Sequence, residues 1–269
     1  MCGKNCELLI IIRPSKFKSA NVMVALALRS KALSQEVEYV LADLPHGFEV
    51  LLRHYVKAED ALKMAVKLGL LHWSGSMIET YEPIVSCLSR LTKENVRVIC
   101  YLDPSDLRRE RELAFKVLKL VLRASVKKID DKDVEEWVQV LNEYASGDLR
   151  TFDRLIHELK NVGERNVIIL AGLEGFHYAK RLEDEGLRVK VEAVGLPYLR
   201  SPLEVIILKH SRRELTADEL RILLNEYVGY IRNYVVRCES LEEAHRKWSY
   251  DKAPWLKSLI LQEEDTTSI

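Results

Sequence analysis

Four short stretches carry side chains that could do chemistry, and each follows directly on an apolar run. RPSKFKS, after Leu8–Ile12, offers Arg13, Ser15, Lys16 and Lys18, and DLPHG, after Val37–Ala42, offers Asp43 and His46. LDPSD, after Val96–Tyr101, contains Asp103, and GLEGFH, after Val167–Ala171, contains Gly172, Glu174, Gly175 and His177. A carboxylate can act as a general base or orient a histidine, an imidazole can carry a proton near neutral pH, and a cation can hold an anionic group. On these types Asp43, His46, Glu174 and His177 are the candidate catalytic groups. Arg13, Ser15, Lys16, Asp103, Gly172 and Gly175 are the candidate ligand-binding positions.

Each of these residues also has a plainer reading. Asp43 and Asp103 stand close before prolines, where aspartate makes turns and helix caps. His46 and His177 can be surface or hydrogen-bonded histidines. Gly172 and Gly175 permit a tight strand-to-helix turn, but G-x-x-G without a third glycine is not the dinucleotide fingerprint, and no G-x-x-x-x-G-K-[ST] phosphate loop or G-x-S-x-G elbow occurs. Cys2 and Cys6 could clip a metal, yet no partner pair of the same spacing follows. Metal and cofactor therefore stay open. His72, Trp73, Ser74 and Ser76 in LHWSGSM form a polar, aromatic turn whose tryptophan could line a pocket or pack in the core.

The elements that must position these groups can be read from the hydropathy pattern. The four apolar runs, with Val189–Val194 as a fifth, are rich in β-branched residues, and the first four are nearly unbroken, as strands covered on both faces are. Helical periods lie between them. The expectation is an α/β fold: a mostly parallel sheet flanked by helices, with a helical insertion before the fourth strand and a helical C-terminus. In such a sheet ligands bind beyond the carboxyl ends of the strands, where the four stretches lie. Helices are expected over Ala20–Leu33 and over Phe48–Leu70 with a break near Lys57–Asp60, and Pro83 is expected in a first helical turn.

Residues 104–163 show three helical patterns and no strand, read as an insertion or cap on a core of 1–103 and 164–210, or as helices covering one sheet face. EVIILK is either a sixth strand or a buried segment. Capping pairs Thr216/Glu219 and Ser240/Glu243 then open C-terminal helices within 211–260, the first with an apolar stripe through Leu220, Leu224, Tyr227 and Ile231.

Composition bounds the partners. Forty-one basic residues balance forty-one acidic ones among 269, so no global field favours nucleic acid or an anionic membrane. Nucleic-acid contact would have to be local, through Lys209, His210, Arg212 and Arg213 and the last helices, where interleaved glutamates favour a solvated face. No apolar run approaches the ~20 residues of a membrane span and the start lacks a secretory signal, so a cytoplasmic protein with reduced cysteines is expected. Richness in Lys, Arg and Glu with little Gln suits a thermophile-like surface of ion pairs.

The order of segments resembles the superfamily of TraB, ChaN and the erythromycin esterases over residues 8–195. The resemblance rests on VLADLP, a strand ending in an acidic residue and proline; on WSGSMIETYEP, a W-x7-Y-x-P segment; on VRVICYLDP; and on VIILAGLEGFHYAKRLEDEGLRV after a helical insertion. Members include hydrolases, predicted metal-dependent peptidases and a haem binder, with a G-x-x-H turn after the first strand, a glutamate ending the second and another G-x-x-H turn after a late strand. Here RPSKFKS has neither glycine nor histidine, Asp43 stands where the glutamate is expected, and Gly175 takes the place of the second histidine, with His177 two positions later.

Besides nucleic-acid contact through Lys209–Arg213 and the final helices, two function classes are compatible with these residues. One is a small-molecule site, hydrolytic in one version, with Asp43 or Glu174 as base or orienting group, His46 or His177 as proton carrier and Arg13 or Lys16 holding an anion. The other is a non-enzymatic binding or assembly protein, with a ligand at the sheet edge or a protein partner or second copy on the C-terminal helices. The first requires the strand exits to crowd together, whereas an unconvergent edge beside an exposed apolar C-terminal helix would favour the second.

Overall fold

The computed structural model describes residues 7–34, 37–71, 75–145, 148–163, 165–195 and 198–253. The chain begins with β1 (Glu7–Ile12), α1 (Lys18–Ser34) and β2 (Tyr39–Pro45). Three helices come after it, α2 (Phe48–His54), α3 (Ala58–Lys67) and α4 (Gly75–Lys93), leading to β3 (Arg97–Leu102). Next come α5 (Pro104–Val126), α6 (Asp131–Ala145) and α7 (Asp148–Val162), then β4 (Val167–Ala171), α8 (Gly175–Asp184) and β5 (Arg188–Ala193). The chain continues through α9 (Pro202–Ser211), α10 (Ala217–Asn233), a short 3-10 turn and α11 (Leu241–Lys252).

All five strands pair in parallel, in the order β3-β2-β4-β1-β5. The expected α/β class, the helices before the fourth strand and the helical C-terminus are all present. This order brings the exits of the first two strands to either side of β4, which enters between β1 and β2.

The described residues fall into two compact units, one drawn from 1–111 and 147–196 and the other from 112–146 and 197–269, with the boundary inside α5. In the first unit the sheet is covered on both faces, which explains why β2 and β4 are buried at every position. One face packs Leu9, Ile11, Val40 and Leu170 against Val24 and Leu28 of α1, Phe48 and Leu52 of α2, Leu62 of α3 and Ile84 and Leu88 of α4. The other packs Ile10, Leu41, Tyr101 and Ile169 against Phe152, Leu155 and Leu159 of α7 and Tyr178 and Leu182 of α8. The edge strand β5 instead has no buried position, and Lys31 reaches from α1 to Glu192 at 2.7 Å.

In the second unit Leu113, Val117 and Leu120 of α5, Trp137 and Leu141 of α6 and Ile206 of α9 pack with Leu220, Leu224 and Tyr227 of α10. The expected capping pairs are formed: Thr216 and Glu219 make a reciprocal box, and the Ser240 hydroxyl accepts the Glu243 N–H. The buried His245 of α11 lies in a set of rings, stacked on Tyr198 at 4.7 Å and edge-on to Tyr230 at 6.3 Å, with Trp248 at 5.4 Å. Burial lowers its pKa, against the pull of Glu204 and the Leu199 backbone.

Two expectations are corrected. Pro83 lies inside α4, which begins eight residues earlier at Gly75, because Ile78, Tyr81, Ile84 and Val85 keep one apolar face across it. EVIILK is helical, as α9. Its start is a complete capping box, Ser201 with Glu204, and Pro202 occupies the first turn. The break between the two helices of Phe48–Leu70 falls at Tyr55–Lys57, meeting the expected Lys57–Asp60 at Lys57.

Candidate functional site

The exits of β1, β2 and β4 meet through one side chain. Arg13, one residue past β1, is buried, and its guanidinium donates to Asp43 Oδ1 at 2.9 Å. Nε donates to Asn21 Oδ1 at 2.6 Å and a terminal nitrogen lies 3.4 Å from the Ala171 carbonyl oxygen. Neighbouring parallel strands lie ~4.8 Å apart, so two strand spacings separate β1 from β2. Arg13 bridges them by crossing the carboxyl end of β4, using the Ala171 carbonyl on the way. Its own backbone N–H also donates to that carbonyl, at 3.1 Å.

Electrostatics explain why this pair is tolerated. Burial, the largest influence, would pull the guanidinium's pKa down, but Asp43 together with Tyr81 and Tyr101 outweighs it and holds Arg13 above its ordinary value. Asn21, buried at the start of α1, anchors the assembly further, with its amide donating to the carbonyls of Ser15 at 2.8 Å and Thr80 at 3.0 Å. Next to Thr80, the Tyr81 phenol hydrogen-bonds Ser15 and feels Asp43, Arg13 and Glu174. Its pKa is pushed up to about 12, by burial first and Asp43 second. Tyr101 in β3 is buried beneath the same edge, donates to the Leu170 carbonyl at 2.8 Å and is raised well above its usual value, mainly by burial.

At the β4 exit, Glu174 is exposed and its carboxylate folds back to accept the Gly172 N–H at 2.8 Å. A Cβ on Gly172 would come within 2.5 Å of a Glu174 carboxylate oxygen. Glycine at 172 thus makes room for the folded-back carboxylate. Gly175 has a different job: a Cβ there would meet Ala171 and Ile12 side chains at 2.8 Å, so this glycine lets α8 sit close on the sheet.

The remaining candidates lie apart from this network in their bonding. Asp103 accepts the Ser105 N–H at 2.8 Å and its hydroxyl at 2.6 Å, and also meets Arg154 at 3.3 Å; the Ser105 bonds are the chief reason its pKa is lowered. That is helix-cap chemistry at the start of α5. His46 is exposed, its backbone N–H donates to the Leu102 carbonyl at 2.9 Å, and its ring lies 4.0 Å from Glu49. His177 is exposed on the first turn of α8, its backbone N–H donating to the Glu174 carbonyl at 2.8 Å. Lys16 is exposed and Ser15 half-buried.

Sequence reading therefore found Arg13, Asp43, Ser15, Gly172 and Glu174, which belong to the assembly around this edge, and missed Asn21, Tyr81 and Tyr101. The missed residues sit inside helices or a strand rather than in the turns, and only Tyr81 carried a signal, in YEP. Among the described residues no group of three metal-ligating side chains converges. Cys87 and Cys100 are buried free thiols, Cys87 pushed up to about 11 by burial. Cys2, Cys6, His72, Trp73 and Ser74 lie outside the described residues. Among the described residues no helix is long and apolar enough to cross a membrane. In the last helices Lys209 meets Glu219 at 3.5 Å and Lys247 meets Glu243 at 2.6 Å. No protein-family model, curated protein or solved structure matches the chain.

Proposed function

We propose that the carboxyl edge of the sheet is a binding site for a small polar molecule, in which Arg13 and Asp43 build the floor and Glu174 meets the ligand. The observation that carries the reading is the commitment of Arg13: three nitrogens and three partners bind it to the protein itself. A guanidinium so engaged holds the strand exits in place and leaves no fork for an anion. Asp43 is likewise engaged by Arg13, which disfavours it as a general base. The turns that follow β1 and β4 expose the Glu174 carboxylate, a hydrogen-bond acceptor, and Lys16, with Ser15 half-buried. Such a set suits a ligand bearing hydroxyl or amino donors rather than a polyanion.

A layout shared with the TraB, ChaN and erythromycin-esterase superfamily belongs to the same proposal and is supported by the order of segments. In this chain an ion pair stands near the positions where that group carries a histidine turn and a glutamate. The proposal is therefore of binding with altered chemistry, not of an inherited reaction.

Ligand-detected NMR with three probe sets, free amino acids, polyols and nucleosides, tests the reading. At least one polyol or amino-bearing probe is expected to bind, with affinity lowered about ten-fold or more in Glu174→Gln, a loss of one charged hydrogen bond. Equal binding of every probe to both proteins would remove Glu174 from any site.

A further inference from the structure

The pair α1 and α4 runs side by side on one face of the first unit, tied by the Asn21 amide to the Thr80 carbonyl and by the Cys87 thiol to the Ala25 carbonyl at 3.3 Å. Its inner side is core, yet its outer side carries large apolar groups: Val22, Met23 and Leu26 are 41%, 50% and 67% exposed. Beside them runs a shallow groove of about 180 Å³, lined among others by Leu26, Arg29, Glu82, Ser86, Arg90 and Glu94. Among the described residues none of those four charged side chains is in an ion pair, although Lys63, Lys116, Arg123, Lys127 and Lys247 elsewhere on the surface all are.

We propose that this face is the contact between two copies of the chain, related by a two-fold axis passing close to Ser86. Glu82, Ser86 and Arg90 recur every four residues along α4, so the acid and the base lie ~6 Å on either side of the serine along the helix. Laying a second α4 antiparallel across the first at Ser86 sets Glu82 of each copy opposite Arg90 of the other. One surface thereby satisfies itself twice, as an isologous contact must. Ser86 is small enough to let the helices approach, and Leu26 and Met23 of each copy cover the crossing. The helices have 17 and 19 residues. At 1.5 Å per residue and ~10 Å width each, the face measures about 28 Å by about 20 Å, of the order of the ~800 Å² a partner buries in a standard interface. The charge pattern is what selects a second copy over an unrelated partner, because a one-signed partner would leave half of the charges opposed by like charge.

Sedimentation velocity of the full chain at micromolar concentration tests this. The wild type is expected at twice the monomer mass, and Glu82→Arg and Arg90→Glu, each alone, are expected to raise the dimer dissociation constant about ten-fold or more, since each sets two like-charge pairs at the crossing. Mixing the two variants restores both pairings and is expected to give a heterodimer, with circular dichroism confirming that each variant is folded. A monomeric wild type overturns the proposal. So does a dimer that ignores both substitutions, or a pair of folded variants whose mixture stays monomeric. Leu26→Ser, a neutral change, is expected to weaken the dimer without rescue by either charge variant, and wild-type affinity in it would overturn the face independently.

Discussion

Arg13, just past β1, and Asp43, in β2, belong to strands that are not neighbours, yet their side chains meet at 2.9 Å over the end of the strand between them. Removing one partner of a buried pair strands a charge, whereas removing both does not. Asp43→Ala is expected to lower the unfolding free energy by about 3–5 kcal/mol in urea titrations. The double replacement Arg13→Met with Asp43→Leu is expected to lose distinctly less than the two single changes summed. An Asp43→Ala protein as stable as the wild type would mean that the pair holds nothing in place.

The two glycines of the β4 exit should separate cleanly. In Gly172→Ala the atoms nearest the new methyl are those of the movable Glu174 carboxylate, which swings off the residue 172 N–H, with an amide NMR shift change at that position and less than about 1 kcal/mol of stability lost. In Gly175→Ala the methyl meets Ala171 and Ile12 in the core, and about 1–3 kcal/mol is expected to go. Equal losses at both positions would contradict the two roles.

His245 makes the second unit's stability depend on pH. Its folded pKa lies below the ordinary 6.5, so below that value the unfolded chain takes up the proton first and the folded state loses ground. Stability is fully present above pH ~6.5 and falls as pH drops through that value toward the lower folded one, levelling off beneath it. His245→Phe is expected to flatten this part of the thermal-denaturation profile between pH ~7.5 and ~5 while leaving the carboxylate-driven loss at lower pH. An unchanged slope in that window would assign the dependence elsewhere.

The helix starts at Ser201 and Thr216 offer a graded comparison. Thr216→Ala removes an exposed capping box and is expected to lose about 1 kcal/mol. Ser201→Ala is expected to lose more, because Glu204, which completes that box, also accepts the Tyr198 hydroxyl at 2.7 Å beside the ring of His245. Melting temperatures of the two variants decide the order.

These roles divide by what a local pattern can carry. Strands such as Val167–Ala171 were legible because two covered faces demand an unbroken apolar run. The types and places of Arg13 and Asp43 were legible too, as polar groups just beyond two such runs. Their partnership was not. It depends on β4 entering between β1 and β2, a choice made by packing between distant parts of the chain and invisible to periodicity. Asn21 escaped notice because an amide in a helix's first turn looks like any polar surface residue. EVIILK misled for the opposite reason: an apolar run of that length suits a strand, but Ser201, Pro202 and Glu204 at its start specify a helix that local hydropathy does not record.

The edge strand β5 has a consequence for how the protein behaves in a crowded solution. Lys190 and Glu192 stand on a strand whose outer hydrogen-bonding row is not taken by another strand of the sheet, and Lys31 clamps Glu192 from the adjoining helix. A visiting strand would have to strip water from these charges before it could add itself. Fibrillar growth by strand addition is thereby disfavoured at this edge of the sheet.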